Sequence, residues 1–315
     1  LSYLYIERCR IEQEGHAISV YDKSGMTPIP CAALALLMIG PGTTITHAAI
    51  KALADNGCLI IWTGEEGVRF YASGVGETRS SKNLMWQAQL ASIPSLRTIV
   101  AKNMYSMRFQ EALSPQTTLQ QLRGREGIRM RNTYLRESKR TGVVWKGRNY
   151  DRSNWAGSDP INRALSAANA CLYGLVHSAI VSLGYSPGLG FIHVGKHLSY
   201  VYDIGDLYKA EFIIPMCFDI VAQDTHNVDS RARFACREIF REQRVLKRIV
   251  EDLGKVLDIE RYLTEETRNY LHAYSMEENN FSEDGSIPGY LWDPTGGCIS
   301  GGVNFGDLDD NPPPN

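Results

Sequence analysis

The chain has 315 residues, 43% hydrophobic and 22% charged, with a formal net charge of −2. That balance excludes wholesale disorder, and the length predicts two domains rather than one. No run of about 18 apolar residues occurs and no basic-then-apolar signal pattern opens the sequence, so a cytoplasmic location without a membrane partner is expected. The seven cysteines are odd in number and none stands in C-x-x-C spacing, which argues against a disulfide scaffold or a zinc ribbon.

Residues 2–40 read as short strands. Tyr3–Ile6 and Ala17–Tyr21 are rich in β-formers, Asp22–Gly25 is a turn, and Ala33–Ile39 is a continuous apolar run suited to a buried strand. Thr46 is placed to cap a helix over His47–Asn56 that Gly57 ends. Cys58–Trp62 and Val68–Tyr71 are two further strands. A small, mostly β N-terminal domain over 1–75 is therefore predicted, with a small-residue linker at 76–81.

Beyond the linker the period becomes helical. Residues 82–110 carry apolar positions at helix spacing, Ser114-Pro115 resembles a helix start, and that helix is expected to reach Lys139 before Gly142. Asp159-Pro160 repeats the start signal ahead of 160–183, which is apolar nearly all round and reads as the central core helix. A Gly/Pro loop spans Gly184–Gly195. Ser199 is predicted to cap a helix running to about Gln223, and another helix covers about 229–253. The expected class is α+β: the β domain, an all-helical catalytic domain over 82–276, and an extended acidic, Gly/Pro-containing tail over 277–315.

Charge is distributed unevenly. Residues 249–315 hold 14 acidic and 3 basic residues, a net of −11 that leaves +9 for residues 1–248. Within 122–152 there are ten Lys or Arg and three Asp or Glu, which suits either a polyanion-binding surface or a solvated helix face.

Four side chains stand out. Glu126 sits among Arg123, Arg125 and Arg129 between two glycines; those glycines suggest close approach of backbone or ligand, while simple pairing with arginine also explains the acid. Asp203 and Asp206 share a helix face and repel unless a cation or proton lies between them, or else they serve the helix dipole near its first turn. His193 ends the glycine-rich loop, where a structural histidine is the competing explanation. Taken together, one His and several carboxylates form a hard donor set that suits Mg²⁺ or Mn²⁺ and phosphodiester chemistry. Walker A, dinucleotide-fingerprint and nucleophile-elbow patterns are absent.

The segments Leu122–Gly127, Tyr150–Trp155, Pro160–Ser166, Gly190–His193, Leu198–Asp206 and Ile60–Arg69, in that context and order, resemble the integrase of CRISPR adaptation, the first of the universal CRISPR-associated proteins, most of all its type I-E branch. The resemblance covers about residues 2–275. It implies a metal held by Glu126, His193 and Asp206, with Asp203 close to the reacting phosphate. It also implies a homodimer, two of which flank a dimer of a small ferredoxin-like partner, giving four copies of this chain to two of the partner. Arg69, Tyr150, Trp155, Tyr173, Lys196, Lys209 and Arg233 fall where the family has DNA-facing or site-supporting residues. The N-terminal strands align poorly with the family, and its duplex-capping aromatic wedge is not assigned to Tyr3 or to Tyr5. The expected activity is metal-dependent joining of the 3′-OH ends of captured DNA to the CRISPR repeat, with endonuclease capability. The rivals are a metal-dependent nuclease of branched DNA and a non-catalytic DNA-binding scaffold.

Overall fold

The computed structural model describes residues 3–15, 17–74, 81–114, 116–148, 159–260, 263, 265, 290–293 and 297–300. A β-rich N-terminal region precedes a helical region, the α+β class expected. The first region contains β1 (Tyr3–Ile6), β2 (Arg10–Glu14), β3 (Ala17–Asp22), β4 (Gly25–Pro30), β5 (Leu36–Ile39), β6 (Thr44–Ile45), α1 (His47–Asp55), β7 (Leu59–Thr63) and β8 (Phe70–Gly74). One sheet has the order β1-β5-β7-β8, the other β4-β3-β2-β6. Thr46 caps α1 as predicted, accepting from the Ala49 amide at 3.3 Å.

The apolar run of β5 is explained by its position. β5 lies between β1 and β7, parallel to both, and a separate core covers each of its faces, so it need not alternate in polarity. Its side chains still alternate in destination. Leu36 and Met38 join the core of the helical region together with Leu59 and Ile61 of β7, whereas Leu37, Ile39 and Ile60 pack toward β2, β3 and α1.

The helical region contains α2 (Lys82–Ser92), α3 (Pro94–Phe109), α4 (Leu119–Thr141), α5 (Pro160–Ser182), α6 (Ser199–Tyr208), α7 (Ile214–Gln223), α8 (Val228–Glu242) and α9 (Val245–Leu257). α5 is the predicted central helix. Asp159 caps it through the Asn162 amide at 2.8 Å and Pro160 occupies its first turn. By length and composition α5 would be long enough to cross a membrane, but 72% of its most apolar stretch is buried in the protein. At Gly174 a Cβ would stand 2.5 Å from Arg69 Cα, so α5 and the chain entering β8 touch backbone to backbone.

Several expectations are corrected. α4 starts at a Thr118–Gln121 capping box, four residues past Ser114, because the Thr118 hydroxyl and the Gln121 side chain satisfy each other's amides. Ser199 is not a cap; it is the first helical residue, and its hydroxyl donates to the Lys196 carbonyl at 2.8 Å. The helix predicted over 199–223 is interrupted by a π-turn at Lys209–Ile213. The helix predicted over 229–253 is two helices, divided where Arg244 takes a left-handed φ of 48°. Of the tail expected over 277–315, the described residues are β9 (Tyr290–Asp293) and β10 (Gly297–Ser300), which pair antiparallel; the rest of that expectation lies outside the described residues. The linker expected at 76–81 lies outside the described residues except for Ser81.

Candidate active site

Glu126 lies on α4, on the side that faces α3 and α6. Arg129, one turn on, donates to it from Nε at 2.8 Å and from Nη2 at 3.0 Å, so the arginine pairing anticipated for this acid is present. The flanking glycines are not pressed by the fold: a Cβ at Gly124 or Gly127 would meet nothing within 4 Å. No backbone of the described chain makes the close approach those glycines suggested.

The loop before α6 is clamped from three sides. The Gln87 side chain of α2 donates to the Ser186 and Leu189 carbonyls at 3.0 Å and accepts from the Ser186 amide at 2.7 Å. Arg97 of α3 donates to the carbonyls of Phe191 and Gly190 at 3.1 and 2.8 Å. From below, Asp203 of α6 accepts from the amides of Phe191, Ile192 and His193 at 2.6, 3.0 and 2.9 Å. Gly190 is required here, because a Cβ would fall 2.4 Å from the His193 carbonyl oxygen. The loop therefore delivers His193 on a fixed backbone.

Asp203 also meets His193 Nδ1 at 2.7 Å. A carboxylate only accepts, so in the neutral ring Nδ1 is the donor and Nε2 the nitrogen with the lone pair, the tautomer of a metal-binding or base imidazole. Asp203 is itself 0% exposed. Its oxygens are directed at the loop amides and the His193 ring.

Asp206, one turn past Asp203, belongs to a charged cluster that sequence reasoning did not anticipate. The side chain of Arg108, on α3 and 2% exposed, lies between two carboxylates: Nη1 is 3.8 Å from Glu126 Oε1 and Nη2 is 3.4 Å from Asp206 Oδ2. Nη2 also donates to the Asp203 carbonyl at 3.1 Å. Lys209 reaches Asp206 Oδ1 at 2.6 Å and lies over the Tyr173 ring, 4.9 Å from its centroid. Burial pushes the Asp206 carboxyl up, but Lys209 and Arg108 outweigh it and hold the group below its ordinary range. Burial likewise pushes Lys209 down, and Asp206 more than restores it. One signal for Arg108 was present in the sequence: it continues the inward period of Val100, Met104 and Tyr105 as a lone cation.

Glu126, Met130, Tyr134, Arg148, Asn169, Tyr173, Asp206 and Lys209 line one cavity of about 280 Å³. Of the residues singled out from sequence, the fold thus gathers Glu126, Asp206, Tyr173 and Lys209 in one cavity. His193 lies close enough to Asp206 to influence its charge. Arg69, Lys196 and Arg233 do not line this cavity: Arg69 and Lys196 are exposed, and Arg233 is half-buried on α8. Tyr150 and Trp155 lie outside the described residues.

In kind, the donors fit a hard divalent cation: two carboxylates and an imidazole whose free nitrogen is set by a buried acid. Among the described residues no three His, Cys, Asp or Glu side chains already stand as a ligand shell. Glu126 and Asp206 turn instead to Arg129, Arg108 and Lys209.

Residues 106–233, which contain this whole cluster, match the family model of the CRISPR associated protein Cas1. Over 306 residues the chain is 49% identical to the CRISPR-associated endonuclease Cas1 2 of Thermus thermophilus, covering 97% of this chain and 90% of that protein. It is 40% identical over 258 residues to the CRISPR-associated endonuclease Cas1 of Escherichia coli, covering 82% and 85%. Among solved structures it resembles a crystallised TtCas1–DNA complex, with a TM-score of 0.78 and 52% identity over 82% of this chain and 97% of that one. With the fold and sequence similar over most of both chains, this chain belongs to the Cas1 family of CRISPR-associated proteins.

Proposed function

We propose that this chain is a metal-dependent DNA integrase of CRISPR adaptation, joining the 3′-OH ends of captured DNA to the CRISPR repeat, with endonuclease capability when water replaces the hydroxyl. One observation carries the reading: Arg108 lies between the carboxylates of Glu126 and Asp206 and donates to the Asp203 carbonyl, while the Asp203 carboxylate holds His193. That the related TtCas1 was crystallised with DNA supports the substrate class.

In the reaction proposed, the attacking 3′-hydroxyl gives up its proton and its oxygen bonds to phosphorus. The bond from phosphorus to the 3′-oxygen of the target strand breaks and that oxygen takes up a proton to leave as a 3′-hydroxyl, so one phosphodiester replaces another. Glu126, His193 and Asp206 would hold Mg²⁺ or Mn²⁺, which when bound supplies Lewis-acid stabilisation of charge on the phosphoryl oxygens. Asp203 holds His193 in its tautomer and fixes the loop. Arg148 and Lys209, both lining the cavity, attract the phosphate that enters it.

The type I-E branch, a cytoplasmic location, a homodimer and a ferredoxin-like partner, two copies of it with four of this chain, belong to the same reading. So do DNA contacts through Arg69, Tyr150, Trp155, Tyr173, Lys196, Lys209 and Arg233. The test is strand joining between labelled DNA ends and a repeat duplex, with the partner protein and with Mg²⁺ or Mn²⁺. Joined strands are expected, and they should disappear on chelation and in Glu126→Ala, His193→Ala or Asp206→Ala. Shortened strands without joined ones would point to the nuclease, and no metal-dependent product would point to the scaffold.

A further inference from the structure

Two arginines attend Glu126, and they differ in freedom. Arg108 is boxed in: its side chain is 2% exposed, and it donates to the Asp203 carbonyl at 3.1 Å. Its separations of 3.8 Å from Glu126 and 3.4 Å from Asp206 exceed ordinary hydrogen-bond length, so it acts on both acids through charge.

Arg129 is placed differently. It stands one turn past Glu126 on α4, its side chain is 28% exposed, and it engages both carboxylate oxygens, Nε to Oε2 at 2.8 Å and Nη2 to Oε1 at 3.0 Å. Among the described residues the other polar contact of that side chain is weak, the Met130 sulfur at 3.9 Å. A guanidinium in reach of water can turn away from its acid without becoming a buried unpaired charge.

A divalent cation ligated by Glu126 needs at least one of the oxygens that Arg129 holds. Two positive charges on one carboxylate repel, so the cation and Arg129 compete for it. Turned outward, Arg129 meets the surface of α4, where Arg123, Arg125, Arg131 and Arg136 are exposed. Like charges oppose that move, and the phosphates of a bound polyanion reverse the sign.

We propose that Arg129 is an exchangeable counter-ion, which yields Glu126 to the divalent cation and passes to a phosphate of bound DNA, so that each ligand strengthens the binding of the other. This rests on Glu126 being a metal ligand, as proposed above. Linkage makes the effect reciprocal: the factor by which the cation tightens DNA is the factor by which DNA tightens the cation. A residue that only braced Glu126 would act in the opposite sense, and its loss would weaken the cation's hold.

The test reads binding, not joining. The full-length chain and Arg129→Gln are titrated with Mn²⁺ alone. The variant should bind roughly fivefold more tightly, the scale of one partly exposed ion pair. Both chains are then titrated with a duplex bearing 3′-dideoxy ends, at several salt concentrations, with and without a fixed low concentration of Mn²⁺. In the unsubstituted chain Mn²⁺ should steepen the fall of log K with log salt by ~0.9, the mark of one added phosphate contact, and in the variant it should not. Equal or weaker Mn²⁺ binding by Arg129→Gln overturns the proposal. So does a salt slope that Mn²⁺ leaves unchanged in the unsubstituted chain, or changes equally in both. The slope on the unsubstituted chain does not depend on a variant that folds. Mn²⁺ bound equally by both chains sinks the exchange alone, whereas no Mn²⁺ bound by either sinks the metal-dependent reaction with it.

Discussion

Asp203 holds His193 twice, taking the ring Nδ1 at 2.7 Å and the backbone amide of the same residue at 2.9 Å. A single buried carboxylate therefore sets both where the imidazole stands and which of its nitrogens is free. Asp203→Asn keeps the shape but offers one acceptor oxygen where three amides and a ring N–H converge, and its NH₂ would face a donor. Strand joining should fall about 10- to 100-fold, the scale seen when the partner of a metal-binding histidine is lost. A joining assay alongside a thermal melt checks this, and unchanged rates would remove Asp203 from the positioning role.

Arg108→Met retains the length of the side chain without its charge. Two acids, Glu126 and Asp206, would then face each other across α4 and α6 with Arg129 and Lys209 as their remaining partners. A stability loss of about 3 kcal/mol is expected from leaving each of these partly buried acids with one cation fewer. Urea denaturation measures it, and a loss under a few tenths of a kcal/mol would show the guanidinium to be dispensable.

Gly174→Ala tests the contact between α5 and the chain entering β8. The added methyl would stand 2.5 Å from Arg69 Cα and 2.7 Å from its nitrogen, both backbone atoms that cannot turn aside. Overpacking of this kind costs ~1–3 kcal/mol, against which the better helix propensity of alanine recovers under 1 kcal/mol. A lowered melting temperature is the expected result; a raised one would mean that the two segments separate more easily than their packing implies.

His177, one turn past Tyr173 on α5, gives a pH signature of its own. It is stacked on Phe70 at 3.7 Å between centroids, and burial, helped by His197, pushes its pKa down to about 4. In the unfolded chain the imidazole titrates near its ordinary value, about 6.5. Between those values the unfolded state holds a proton that the folded state lacks. Stability is therefore fully present above about pH 6.5 and is lost as pH falls toward 4, by ~2 kcal/mol after allowance for partial exposure. Chemical denaturation across pH 4–7 should show this slope, reduced in His177→Gln. An identical slope in the variant would assign it to other groups.

Local signals carried much of the fold. Thr46, Asp159-Pro160 and Gly142 mark their helix ends because capping is decided by one residue and its nearest amides. Ser114-Pro115 misled because the stronger Thr118–Gln121 pair lay just beyond it. The π-turn at Lys209–Ile213 leaves no periodic mark, since one extra residue in a turn hardly alters an apolar pattern; Pro215 at the start of α7 was the available hint. In the site, Glu126, His193 and Asp206 were legible as chemistry but not as neighbours. Arg108 was not singled out although its inward period marked it, because the two acids that need a buried cation there lie on other helices.

The alternation within β5 and β7 has a mechanical consequence. Leu36, Met38, Leu59 and Ile61 anchor one side of that sheet while Leu37, Ile39 and Ile60 anchor the other, so its strands are a party wall between two interiors. Removing or inserting one residue in β5 would exchange the two sets and damage both interiors at once. The β-rich and helical halves are thus joined through interlocked side chains rather than by a tether of peptide. They should therefore melt in one transition, with no step in which one half unfolds alone.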